Sequence, residues 1–192
     1  KGGTAATVIR VLARPGVAHA WAYVPDLAEP FARLVDRRAA LEPFTLPHFA
    51  GRTDALIVGD IAARHGLVFE NGAWESYWQC VYAHMRTLMT PPRGGLLPGV
   101  ASLLDAVAAE PAWVRALLTG NMPEMARIKL SAFGIEQYFA FGAFGDDGPD
   151  RDEVARVAVG RAREHARVEP SRCVFVGDTE HDIACARAAG AH

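Results

Sequence analysis

An α/β fold, with a parallel sheet covered by helices on both faces, is what the sequence predicts, and three observations predict it. Apolar runs of strand length (TVIRVL, WVRALL, CVFV) are separated by segments whose apolar residues recur every three or four positions. Two of those runs end in short polar turns, LLTGN and VGDTEHD, that lead straight into helices. Strands alternating with helices imply βαβ units, whose crossovers cover both faces of a parallel sheet. In such sheets ligands bind at the carboxyl ends of the strands.

Taken in order, Thr7 to Leu12 is β-branched and apolar enough for a first strand, and Arg14, Pro15 and Gly16 stop it. Pro25, Pro30, Pro43 and Pro47 then cut the chain into short pieces, among which only Leu27 to Leu41 has room for a helix of any length. Asp54 to His65 reads as a helix, with Ile57 and Ile61 on one face and Gly66 placed to end it. From Trp74 to Met89, Tyr77, Trp78, Val81, Tyr82, Met85 and Leu88 line up as one broad apolar and aromatic stripe. Such a stripe is expected to be core or a domain interface, the other reading being an aromatic box for a ligand. Pro91, Pro92, Gly94, Gly95, Pro98 and Gly99 mark a linker. Beyond it come a helix with Val100, Leu103, Leu104 and Val107 on one face, the strand WVRALL, and a helix from Pro123 to Phe133 closed by Gly134. An aromatic strand from Tyr138 to Phe144, a helix from Asp152 to His165, the strand CVFV and a helix from Asp182 to Ala189 complete the pattern.

Composition narrows the class of partner. The chain has 192 residues, 51% of them hydrophobic, so it can build one sizeable core or a core with a small accessory layer. Twenty basic residues against 22 acidic ones leave no basic field to recruit nucleic acid or anionic membrane, so small molecules are the expected partners. Cys80, Cys173 and Cys185 form no CxxC pair, which argues against a zinc knuckle or a disulfide framework. No apolar stretch approaches the ~20 residues of a membrane span. Lys1 to Leu12 lacks the features of a secretory signal, and a cytoplasmic location is expected.

Three places carry candidate chemistry. In LLTGN, Thr119 offers a hydroxyl, and Gly120 and Asn121 offer backbone amides, at a strand end that opens a helix; this suits a phosphate or a carboxylate, though a helix cap explains the threonine as well. In VFVGDTEHD, Gly177 permits a sharp turn, and Asp178 and Asp182 are four apart, so hard oxygens converge as Mg²⁺ requires. The alternative is that Asp182 caps the last helix while Asp178 satisfies backbone in the turn. Arg151, in GDDGPDRDEV, would offset the charge of a bound phosphate, and by itself it also reads as a solvated loop arginine.

Their order along the chain is similar to that of the second, third and fourth motifs of the haloacid dehalogenase superfamily. LPGVASLL before the TGN strand resembles its phosphoglycolate-phosphatase-like members, and HFAGRTDALI with the helices after it resembles their small helical cap. The resemblance implies a Rossmann-like core over residues 1–14 and 92–192, incomplete at both ends, and a cap over 15–91. It implies that Thr119 binds phosphate through its hydroxyl with help from Gly120 and Asn121. Arg151 would stand where many members have lysine, Asp178 would hold Mg²⁺, and Asp182 would be a second ligand or the support that orients the cation. Arg52 and His48 would reach the leaving group.

The family's first motif, a strand ending in DxDGT, should fall near positions 10–16. RVLARPG stands there, and no carboxylate occurs between Lys1 and Pro25. The only Asp-x-Asp, Asp150-Arg151-Asp152, follows Gly148-Pro149 rather than a strand, which argues against a displaced nucleophile pair. The implied function is Mg²⁺-dependent hydrolysis of a small phosphorylated metabolite through an aspartyl phosphate, with little turnover expected of a chain lacking the attacking aspartate. The alternatives are a non-catalytic phosphate- and metal-binding module and a 2-haloacid dehalogenase.

Overall fold

The computed structural model describes residues 5–9, 52–64, 66–70, 72–92, 94–177 and 179–192. Four strands, β1 (Ala5–Ile9), β2 (Trp113–Leu118), β3 (Phe141–Ala143) and β4 (Cys173–Val176), form a parallel sheet in the order β3-β2-β1-β4. Ile9 lies opposite Leu117 on one side and Val176 on the other, which sets the register of the three strands. Along the outer edge of β4 the ladder continues: the His192 amide donates to the Cys173 carbonyl, and the Phe175 amide donates to the His192 carbonyl.

Six α-helices occur among the described residues: α1 (Asp54–Arg64), α2 (Ala73–Leu88), α3 (Val100–Ala108), α4 (Pro123–Ala132), α5 (Arg151–Ala166) and α6 (Glu180–Ala188). Their starts follow local chemistry. The Thr53 hydroxyl accepts the Leu56 amide at the head of α1, and Pro123, whose missing N–H costs nothing in a first turn, opens α4. Asp150 caps α5 by accepting the Glu153 amide, and Thr179 and Asp182 form a reciprocal capping box on α6.

Alternation along β2 decides what lies on each face of the sheet. Ala116 and Leu118 pack with Val154, Ala155 and Ala158 of α5 and Cys185 of α6. Leu117 packs with Val100 and Leu104 of α3 and Ala126 and Leu130 of α4. Both faces are therefore covered, as the sequence predicts, in a Rossmann-like α/β arrangement. Fully burying a side chain such as Leu104, which has no exposed surface, stabilises by roughly 1.5–3 kcal/mol.

The aromatic stripe is core and interface together. Tyr77, Trp78, Val81, Tyr82 and Met85 of α2 pack on Ile57, Val58 and Ile61 of α1, and the same cluster takes in Met122, Met125 and Ile128 at α4. Tyr77 and Trp78 meet edge to face, with centroids 5.2 Å apart. The Arg86 guanidinium adds an ion pair to Glu124, tying α2 to α4 at the surface.

Two elements differ from expectation. β1 begins at Ala5, two residues before the predicted start, because pairing with Trp113 and Cys173 recruits alanines of weak strand preference; positions 10–12 lie outside the described residues. Tyr138 lies in a 3-10 turn (Glu136–Tyr138) rather than in a strand, and only Phe141–Ala143 pairs with β2. The predicted helix from Leu27 to Leu41 also lies outside the described residues. All three cysteines are free, and no described helix is long and apolar enough to cross a membrane.

Candidate active site

Two turns leave the carboxyl edge of the sheet, one on each side of β1. After β2, Thr119 and Asn121 are both buried. The Thr119 amide donates to the Ala143 carbonyl, which fixes the turn to β3. The Asn121 amide donates to the Thr119 hydroxyl oxygen at 3.1 Å. With its oxygen accepting, that hydroxyl keeps its own proton to donate to a ligand. Gly120 is dictated by crowding: a methyl group there would lie 2.7 Å from the Arg52 carbonyl oxygen and 3.2 Å from the Thr53 Cα.

The Asn121 side chain is not turned to a ligand. Its Nδ2 donates to both carboxylate oxygens of Asp54, at 3.0 and 3.1 Å, and its Oδ1 accepts from the Lys129 ammonium at 3.0 Å. The Met122 amide also donates to Asp54, whose own amide donates to the Gly120 carbonyl. Burial raises the Asp54 carboxyl above its ordinary value, and the Lys129 charge and the Met122 and Asn121 hydrogen bonds pull the other way.

After β4, Gly177 must be glycine because a methyl group there would overlap the Asp182 side chain. Asp182 is buried and fully occupied: Oδ1 accepts from the Arg151 guanidinium at 3.1 Å, and Oδ2 accepts the Thr179 amide and hydroxyl. Arg151 is buried with it, at 7% exposure. It is therefore no solvated loop residue, although it is bound through an acid rather than facing open water. Thr119 and the Gly177 turn follow strands that flank β1, two strand spacings or roughly 10 Å apart.

The family model of the haloacid dehalogenase-like hydrolases matches residues 11–190. The chain belongs to that family. A search of curated proteins returns no match. Solved structures of similar fold include CbbY from Rhodobacter sphaeroides in complex with phosphate, at TM-score 0.71 and 18% identity, over 98% of this chain and 84% of that one. A predicted phosphoglycolate phosphatase from Haemophilus somnus 129PT aligns at TM-score 0.64 and 18% identity, over 100% and 84%. A putative beta-phosphoglucomutase from Thermotoga maritima aligns at TM-score 0.53 and 17% identity, over 97% and 82%. At these identities the likeness shows a shared fold.

Among the sequence-predicted site residues of this haloacid dehalogenase-like chain, Thr119, Gly120 and Asn121 come together after β2, and Arg151 meets Asp182 beside β4. Asp178 and His48 lie outside the described residues. The Arg52 guanidinium pairs with Asp60 at 2.6 Å, while its backbone carbonyl covers Gly120. Asp150 is spent on capping α5, so the Asp-x-Asp there opens a helix and does not end a strand. Among the described residues no three His, Cys, Asp or Glu side chains are grouped to hold a metal. Asp182 itself carries a guanidinium on one oxygen and the Thr179 donors on the other.

Two residues of the site escaped the sequence reading. Asp54 was legible only as the acidic opening of a helix, and Lys129 only as a polar position on α4. Neither carries a local signal for Asn121, which is 67 residues from the first.

Proposed function

We propose that this chain is a phosphatase-type member of its family whose site takes the phosphoryl group of a small phosphorylated metabolite, and that this chain turns over little by itself. The observation that supports binding is the pairing of a neutral donor turn, Thr119–Gly120, with a buried cation, Arg151, on opposite sides of the β1 end. The ligands of a protein of similar fold agree in substrate class: CbbY was solved with phosphate and, as a variant, with xylulose 1,5-bisphosphate. In the aspartyl-phosphate scheme a carboxylate attacks phosphorus, the leaving alkoxide takes a proton, and water then releases phosphate. Here the residues after β1 are Arg10, Val11, Leu12, Ala13 and Arg14, none of which offers a carboxylate to attack phosphorus, and the low turnover rests on that.

Mg²⁺ would be held by Asp178, with Asp182 supporting, and would offset charge on the phosphoryl oxygens. In this reading residues 1–14 and 92–192 form the core, residues 15–91 the cap, and Arg52 faces the substrate's leaving group. Cytoplasmic metabolism is the setting that fits it. The test is p-nitrophenyl phosphate hydrolysis with Mg²⁺, run beside calorimetric titration with inorganic phosphate. Binding with negligible hydrolysis is expected, which is also the behaviour of a non-catalytic binding module. Brisk hydrolysis abolished by Asp178→Asn overturns the low-turnover part, and absence of phosphate binding overturns the whole reading.

A further inference from the structure

Asp54 belongs to α1, in the helical pair beside the sheet, yet its hydrogen bonds are made to the turn after β2. Four contacts run between them: two from Asn121 Nδ2, one from the Met122 amide, and one from the Asp54 amide to the Gly120 carbonyl. The last sets a direction. Carbonyl and N–H of one planar trans peptide point opposite ways. Drawing the Gly120 carbonyl toward α1 therefore aims the Asn121 N–H away from it, at the Thr119 hydroxyl oxygen, where it is found. That bond leaves the Thr119 hydroxyl proton to meet an anion.

A carboxylate so near an anion site would repel the ligand unless its charge were spent. Here it is spent three ways: on the two Asn121 bonds, on a backbone amide at the amino end of α4, and on Lys129, which reaches the same network through Asn121 Oδ1. The carboxylate, the amide and the ammonium make one chain of donors and acceptors that ends on the turn.

We propose that Asp54 is a positioning residue for the anion site, holding the Thr119–Asn121 turn in its donating shape from the neighbouring helical pair without itself touching the ligand. This rests on the phosphate-binding reading given above. The carboxylate holds Asn121 and Met122, and the backbone contact to Gly120 survives its replacement, so side-chain variants probe the carboxylate alone.

Asp54→Asn keeps the shape but sets an amide group against donors that need an acceptor. Loss of hydrogen bonds to a charged group predicts inorganic phosphate affinity roughly 10–100-fold weaker. Combining it with Asn121→Asp exchanges the two groups. The amide now at position 54 accepts from Met122 and donates to the carboxylate now at 121, which also receives Lys129. Phosphate affinity should return to within about threefold of the parent. Circular dichroism confirms the fold of each variant, and if the single variant does not fold, the double one carries the test. A folded double variant that binds phosphate like the parent supports the proposal. A folded single variant that binds as tightly as the parent, or a folded double variant that does not recover, overturns it while leaving the proposed function standing. A parent chain that binds no phosphate overturns the proposed function first.

Discussion

The two turns that flank β1 are held in opposite ways. The turn after β2 is fixed from outside itself, by Asp54 from α1 and by the Ala143 carbonyl from β3. The turn after β4 is fixed from within the α/β layer: Asp182, five residues beyond Gly177, folds back against it and takes Arg151 from α5. One turn depends on a second layer being docked, whereas the other is completed by the helices that form the sheet's own cover. Shape at the donor turn is therefore open to adjustment by α1 and α2, while the cation on the far side is locked in the core.

The largest effect should come from the locked side. Asp182→Ala leaves the buried Arg151 charge without its carboxylate and removes the Asp182 half of the capping box on α6, so a loss of about 3–5 kcal/mol in urea unfolding is expected. A loss below about 1 kcal/mol would show the pair to be dispensable and the contrast mistaken. Gly177→Ala should cost about 1–3 kcal/mol, since the new methyl must displace the Asp182 side chain. Its effect should shrink when combined with Asp182→Ala, as a thermodynamic cycle would reveal.

The smallest effect concerns the Glu124 carboxylate, which takes Arg127 within α4 and Arg86 from α2. The Arg127 hydrogen bond, then that of Arg86, holds the Glu124 carboxyl below its ordinary 4.5. A carboxyl depressed in the folded state adds stability that is complete above the ordinary value and disappears as pH falls through the folded one. Glu124 is partly exposed and solvent screens the pairs, so the contribution is about 0.2–1 kcal/mol. Glu124→Gln should be less stable than the parent by that amount near neutral pH, and the gap should close as the pH falls below 4.5 and through the depressed value. A gap that persists in acid would assign the loss to packing.

Much of the architecture was legible because its signals are local. The three-and-four spacing of Tyr77, Trp78, Val81 and Tyr82 and the apolar run at β2 report which face each residue buries, and the structure agrees. Asp182 was legible as an acid, but its engagement with Arg151 was not, because its capping partner is three residues away while Arg151 lies 31 residues back. The position of Asn121 marks its backbone amide as an anion donor, and only the fold shows that amide given to the Thr119 hydroxyl and its side chain turned to Asp54 and Lys129. The start of β1 at Ala5 was missed for a related reason, since alanine shows no preference until Trp113 and Cys173 lie beside it.

Met122 is both the residue next to the donor turn and a member of the apolar cluster shared by α1, α2 and α4. Any swing of the helical pair wide enough to wet Met125 and Ile128 must also break the Met122 amide from Asp54. Loosening of the turn and separation of the two layers thus become one event. Deuterium should enter the Met122 amide on the same clock as it enters the buried face of α2.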